Sequence, residues 1–253
     1  MGAVPGDTPV ALVTGGSRGI GRACALGLAE DGYDVVINYV GNRAAADAVA
    51  AGVVARQRRA LVIQGDVGSE PDVLRMFGAV DGFGRLAVLV NNAGVVDVAA
   101  RVDEMSLDRL TRMMRINVIG AFLCAREAVK RMSTRHGGQG GAIINIGSVA
   151  ADLGSPAQYV DYAASKGAID SMTIGLGREV ATEGVRVNAV RPGLIKTDIH
   201  ASGGIPDRVE RLAGLVPMQR GGSAEEIADS VRWLASPKAS YVVGSLITVS
   251  GGR

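Results

Sequence analysis

Tyr162 and Lys166 lie four residues apart in a stretch of helical period, so their side chains share one face about one turn apart. An ammonium beside a phenol is a proton-transfer device. A free phenol titrates near ~10, and service as a base near neutral pH needs a drop of roughly 3 units, about 4 kcal/mol of preferential phenolate stabilisation. A fixed ammonium supplies much of that. Ser148 stands directly after an apolar run, where a hydroxyl can donate to a substrate oxygen and orient it. Tyr159 has Ala163 rather than a cation four residues on, and reads as a pocket wall one turn before Tyr162. Asn117 interrupts an otherwise helical pattern over 107–131, as a kink or cap does. The chemistry these groups suit is proton transfer at the oxygen of a carbonyl or alcohol.

A second constellation lies near the start. The turn Thr14-Gly15-Gly16-Ser17-Arg18-Gly19-Ile20-Gly21 follows an apolar run and opens a helical one. Glycines there let backbone approach a pyrophosphate, whose charge the helix N-terminal amides meet. A dinucleotide site of this kind usually has Asp or Glu at the end of the next strand to bind the ribose 2′-hydroxyl. Here that position is read as Asn38. Without a carboxylate to repel a 2′-phosphate, and with Arg18 in the loop and Arg43 just beyond, NADP(H) is favoured over NAD.

These groups need a scaffold that puts them at strand ends. Short apolar runs at 9–13, 34–38, 60–64, 86–91, 142–146, 185–190 and 246–249 read as seven strands. Amphipathic stretches at 19–30, 43–56, 70–77, 107–131, 159–182 and 224–235 read as helices, with Ser69, Ser106 and Ser223 at N-cap positions. The alternation predicts an α/β Rossmann fold, a doubly wound, seven-stranded parallel sheet with helices on both faces, in a single domain over 1–253. Ligands then bind beyond the carboxyl ends of the strands. The long irregular stretches 147–158 and 192–222 follow strands and are expected to form substrate walls and a lid.

Composition narrows the function classes. The 253 residues are 47% hydrophobic and 21% charged, with 36 glycines, which excludes a disordered or fibrous chain. Scattered charges with a net +2 advertise no nucleic-acid surface, and no apolar run suits a membrane span. The N-terminal residues carry no secretory pattern, so a cytoplasmic protein is expected. Cys24 and Cys124 read as buried free thiols, His136 and His200 as surface histidines, and no metal site is expected.

Taken in order, the glycine loop, Asp66-Val67, Asn91-Asn-Ala-Gly94, Asn117, Ser148, Tyr162-Ala-Ala-Ser-Lys166 and Pro192-Gly193 with Thr197 resemble the short-chain dehydrogenase/reductase family over essentially the whole chain. The resemblance implies hydride exchange between a nicotinamide cofactor and a ketone or secondary alcohol, with Tyr162 as acid or base. It also implies that Asp66 contacts adenine, that Asn91, Asn92, Ala93 and Gly94 steady the sheet beside the ribose, and that Ile195 and Thr197 hold the carboxamide. Lys166 would bond the nicotinamide ribose, and Asn117 would break a helix to bind a proton-relaying water. Ser148 to Tyr162 spans one residue more than the family's usual spacing, so the intervening segment is expected to shape the pocket. The assembly implied is a homotetramer. The lid has few charges near its start, which suits a small or medium neutral carbonyl compound. A carrier-bound 3-oxoacyl thioester, a sugar, and a regulatory protein without chemistry stay open as alternatives.

Overall fold

The computed structural model describes residues 8–197, 203–205 and 207–253. Strands β1 (Val10–Val13), β2 (Asp34–Tyr39), β3 (Ala60–Gln64), β4 (Leu86–Asn91), β5 (Gly141–Ile146), β6 (Val185–Pro192) and β7 (Leu246–Val249) form one sheet in the order β3-β2-β1-β4-β5-β6-β7. Every pairing is parallel. The strands read as unbroken apolar runs because both faces are covered, and their period of two divides the core. Ala11, Val13, Val35 and Ile37 face one layer, with α1 (Gly19–Glu30), α2 (Arg43–Ala55) and a late helix, Ala224–Ala235. Val10, Leu12 and Val36 face the other, with α3 (Glu70–Phe83), α5 (Gly120–Met132) and α7 (Val160–Val180).

The seven expected strands and five of the six expected helices are present, several with shifted ends. Helix α3 runs on to Phe83 rather than stopping at 77, because Val80 is buried and continues the apolar stripe. β6 extends to Pro192. Ser106 and Ser223 accept hydrogen bonds from the amides of Arg109 and Glu226, whereas Ser69 stands at its N-cap position without a side-chain bond. The stretch 107–131 is not one helix. It comprises α4 (Leu107–Met114), a π turn (Arg115–Ile119) and α5. The short helices α6 (Ala150–Leu153) and α8 (Arg208–Leu212) lie in the two irregular stretches, and α9 is the late helix Ala224–Ala235. No helix among the described residues is long and apolar enough to cross a membrane. Burial pushes the thiols of Cys24 and Cys124 up to about 12, so both stay protonated.

The chain leaves β1 toward β2 and β3, then crosses to β4 on the other side of β1. At this reversal the connections after β1 and β4 part in opposite directions and open a crevice at the carboxyl ends.

Candidate active site

A cavity of about 890 Å³ fills that crevice. Its first wall is the glycine loop. Gly15 and Gly19 take left-handed φ of 61° and 51°, which a side chain resists. A Cβ on Gly21 would come within 2.3 Å of the Gly15 carbonyl, so this glycine allows the loop to fold on itself and lies behind the cavity wall. Helix α1 starts at Arg18 with no side-chain cap and no acid in its first turn. Its N-terminal amides are thus left for an anion, and Gly15, Ser17, Arg18, Gly19 and Ile20 line the space before them. The loop fits a dinucleotide pyrophosphate.

Asn38 lines the cavity at the end of β2. Its side chain is buried, accepts from Gly15 N at 3.1 Å and donates to Gly65 O at 2.9 Å. It ties the glycine loop to the end of β3 from within the cavity wall. The rim beyond β2 is formed by Tyr39, Val40, Gly41 and Asn42, none of them acidic. Arg43 is outside the wall and bound to Asp47 at 2.8 Å, which leaves Arg18 as the exposed cation beside this rim. Asp66 and Val67 line the cavity after β3. The Asp66 carboxylate accepts from Gly68 N at 2.9 Å and from Arg115 at 2.7 Å, a partner 49 residues away that no local pattern announces.

After β4 the wall is Asn92, Ala93 and Gly94. Asn91 instead points into the sheet, donating to Asn145 at 3.0 Å and to Ala121 O at 3.2 Å. Asn92 donates to the carbonyls of Thr14 and Gly15 and so fastens β4 to the glycine loop. Asn117 lies in the π turn and is buried. It accepts from Val95 N at 2.8 Å and donates to Val95 O at 2.9 Å and Ser165 Oγ at 3.1 Å. The turn's extra residue aims this amide across the fold at the β4 loop.

Tyr162, Lys166 and Ser148 meet in one wall. Helix α7 carries the first two, and Ser148 follows β5. Lys166 is 5% exposed, donates to Ile146 O at 2.7 Å, and has its ammonium 5.6 Å from the Tyr162 ring centre. Burial pulls Lys166 down to about 8, against the attraction of Asp170. Burial pushes the Tyr162 phenol up, and a hydrogen bond with the Ser148 side chain opposes this. The drop that a phenol base requires is therefore not built into the protein alone. Unaided, the site keeps Tyr162 protonated. Gly94 sits over this group, since a Cβ there would lie 3.4 Å from Asn117 Oδ1 and 3.7 Å from Lys166 Nζ.

Pro192, Gly193, Ile195 and Thr197 close the side beyond β6. Behind them Arg191, 8% exposed, pairs with Asp152 at 2.5 Å and Asp170 at 3.4 Å. The apolar end is formed by Val95, Val96, Val149, Leu153 and Tyr159. Left-handed φ at Gly154, Ser155 and Ala157 accommodates the long segment between Ser148 and Tyr162. His136 is exposed, while Ile199 and His200, expected in the lid, lie outside the described residues. The described residues contain no cluster of three His, Cys, Asp or Glu able to hold a metal.

A family model described as Enoyl-(Acyl carrier protein) reductase matches residues 15–253. The uncharacterized oxidoreductase YgfF of Escherichia coli is 55% identical over 245 residues, 96% of this chain and 99% of the relative. A 3-oxoacyl-[acyl-carrier-protein] reductase of Synechocystis is 39% identical over 245 residues, 96% of each chain. Among solved structures, a short chain dehydrogenase from Burkholderia cenocepacia in complex with NADP is 35% identical with a TM-score of 0.88, covering 96% of both chains.

Proposed function

This chain belongs to the short-chain dehydrogenase/reductase family and is an oxidoreductase, and from that premise we propose that it interconverts a ketone and a secondary alcohol using NADP(H). The observation that carries this is the convergence of Tyr162, Lys166 and Ser148 in a cavity that runs on to an uncapped, glycine-cradled helix N-terminus. When bound, the reduced nicotinamide supplies hydride to the carbonyl carbon. The glycine loop would hold the pyrophosphate, with Asp66 and Val67 at the adenine end, Ala93 and Gly94 along the ribose, and Pro192, Gly193, Ile195 and Thr197 beside the nicotinamide. Ser148 orients the carbonyl oxygen by donating to it, and Tyr162 delivers the proton. Because burial keeps Tyr162 protonated, the protein is poised as an acid, which suits reduction of the ketone. Lys166 holds a positive charge beside the phenolate that delivery leaves behind, and Asn117 fixes the loop over it.

Two features support the phosphorylated cofactor: the rim after β2 lacks a carboxylate, and Arg18 is exposed beside it. The Burkholderia neighbour holds NADP. Of the two arginines placed to meet an acidic carrier, Arg131 is bound to Asp81 at 2.6 and 2.7 Å and to Glu127 at 3.0 Å, and exposed Arg178 has Glu179 beside it in the chain, so a small-molecule ketone is preferred to a carrier-bound thioester. The test is absorbance of NADPH and NADH with a panel of ketones, sugars and acetoacetyl thioesters. Ketones are expected to turn over faster with NADPH, and Tyr162→Phe to abolish turnover while retaining cofactor binding. Survival of more than about a tenth of the rate would move the proton to another residue.

A further inference from the structure

At the apolar end of the cavity, Tyr159 is buried and donates from its hydroxyl to Gly203 O at 3.2 Å. Gly203 lies close against it, because a Cβ there would come within 3.3 Å of both that hydroxyl and Val96. Arg208, from the start of α8, lays its guanidinium 5.2 Å above the Tyr159 ring centre and lines the same cavity. Among the described carboxylates near it, Asp207 pairs with Arg211, Asp97 with Arg112 and Asp161 with Arg109, and Glu210, two residues along the chain, makes no ion pair with Arg208. Among the described residues none pairs with Arg208. The charged residues lining the cavity are Arg18, Asp66, Lys166, Arg208 and Arg253, and the one carboxylate in that set is held by Arg115 at the adenine end. A guanidinium stacked on a ring keeps its edge N–H groups free for a partner in its own plane, and a carboxylate matches that fork.

We propose that Arg208, stacked on Tyr159, is a specificity-determining residue that binds a carboxylate, so that the substrate is an oxo acid whose carboxylate lies apart from the reacting ketone. This rests on the ketone-reductase reading above. It replaces the neutral ligand expected from the start of the lid, because the sparsely charged stretch ends before Arg208. Tyr159 stands one turn before Tyr162, so the ketone and the anion are gripped by two ends of one helical turn. Tyr159 fixes the direction of Arg208, and the lid's Gly203 allows the close approach.

The experiment compares oxo acids of increasing chain length with their neutral methyl esters, using NADPH and the full chain, and reads the acid-to-ester ratio of kcat/KM within each variant. In the wild type the best acid should exceed its ester by about tenfold or more, the scale of a charge-assisted hydrogen-bonded pair. Arg208→Met should bring that ratio close to one, and Arg208→Lys should retain part of it. Because each ratio is internal to one protein, a general loss of folding does not imitate the result. Esters reduced as well as acids, or a ratio unmoved in Arg208→Met, overturn the carboxylate site and leave ketone reduction standing. A phosphorylated ketone preferred over every carboxylate by about tenfold also overturns it. Failure to reduce either partner of any pair overturns both readings.

Discussion

Lys166 shows how one buried side chain joins stability to chemistry. Its ammonium sits in the wall with a single carbonyl acceptor, and burial holds its titration at about 8. An unfolded lysine titrates near ~10.4, so between those values the unfolded chain binds more protons than the folded one. Stability from this group must therefore rise with pH across that window. The whole difference amounts to about 3 kcal/mol. Urea unfolding of the cofactor-free protein from about pH 7 to about pH 10 should show wild type gaining on Lys166→Met by up to that amount. A pH-independent gap would mean that Lys166 is not desolvated as the geometry requires. The same penalty explains why a second charge belongs nearby: Asp170, one turn further along α7, offsets part of it. At neutral pH Lys166 is left charged beside a protonated Tyr162, the pair of states an acid catalyst needs.

Elements hold these residues through a few long-range contacts. Asp161, adjacent to Tyr162 in the first turn of α7, has a fully buried side chain gripped by Arg109 of α4 at 2.8 and 3.1 Å. Breaking a buried pair from one side costs about 3–5 kcal/mol because the remaining charge is stranded. Arg109→Leu is therefore expected to lose that much in urea unfolding and to lower kcat by moving the start of α7. The double variant Arg109→Leu with Asp161→Leu should recover most of the stability, and a double variant no more stable than the single would contradict the argument. The seven strands were legible because parallel strands buried on both faces read as apolar runs. Tyr162 with Lys166, and Ser148 after β5, were legible because helical spacing and strand ends are local. The break in 107–131 was marked by the misplaced Asn117 and by the helix break that the family resemblance implied there, but its form was not, since the apolar period resumes on both sides of the π turn. The roles of Asn38, Arg115 and Arg208 were not legible, because each is set by a partner that only chain closure brings near. An asparagine at the end of β2 does not announce that it also clamps Gly15 to Gly65.

The whole molecule carries apolar surface that its own core does not use. On α5 and the π turn before it, Phe122 and Ile119 are each 51% exposed, and beside them Val160, Ala164, Ser171 and Gly175 form an exposed stripe along α7. Ala163, next to Ala164 on the same helix, faces the core at 4% exposure. Small residues let a helix from another copy approach closely, and Gly167 and Gly175 have open space where a Cβ would stand. An isologous contact uses the same patch twice, so each buried phenyl ring counts twice. Trp233 on α9 and Tyr241 before β7 are exposed on other elements, which would give a second twofold contact and, together with the first, a homotetramer. Sedimentation equilibrium at micromolar concentration is expected to return four times the chain mass. Phe122→Glu should halve that mass, because it removes about 1.5–3 kcal/mol of apolar burial on each side and brings two carboxylates to one twofold axis. Trp233→Glu should halve it by opening the other contact, and the two changes together should yield monomers. A wild type that sediments as a monomer refutes the assembly. A tetramer unchanged by Phe122→Glu would mean that helices α5 and α7 face solvent and that other surfaces join the copies.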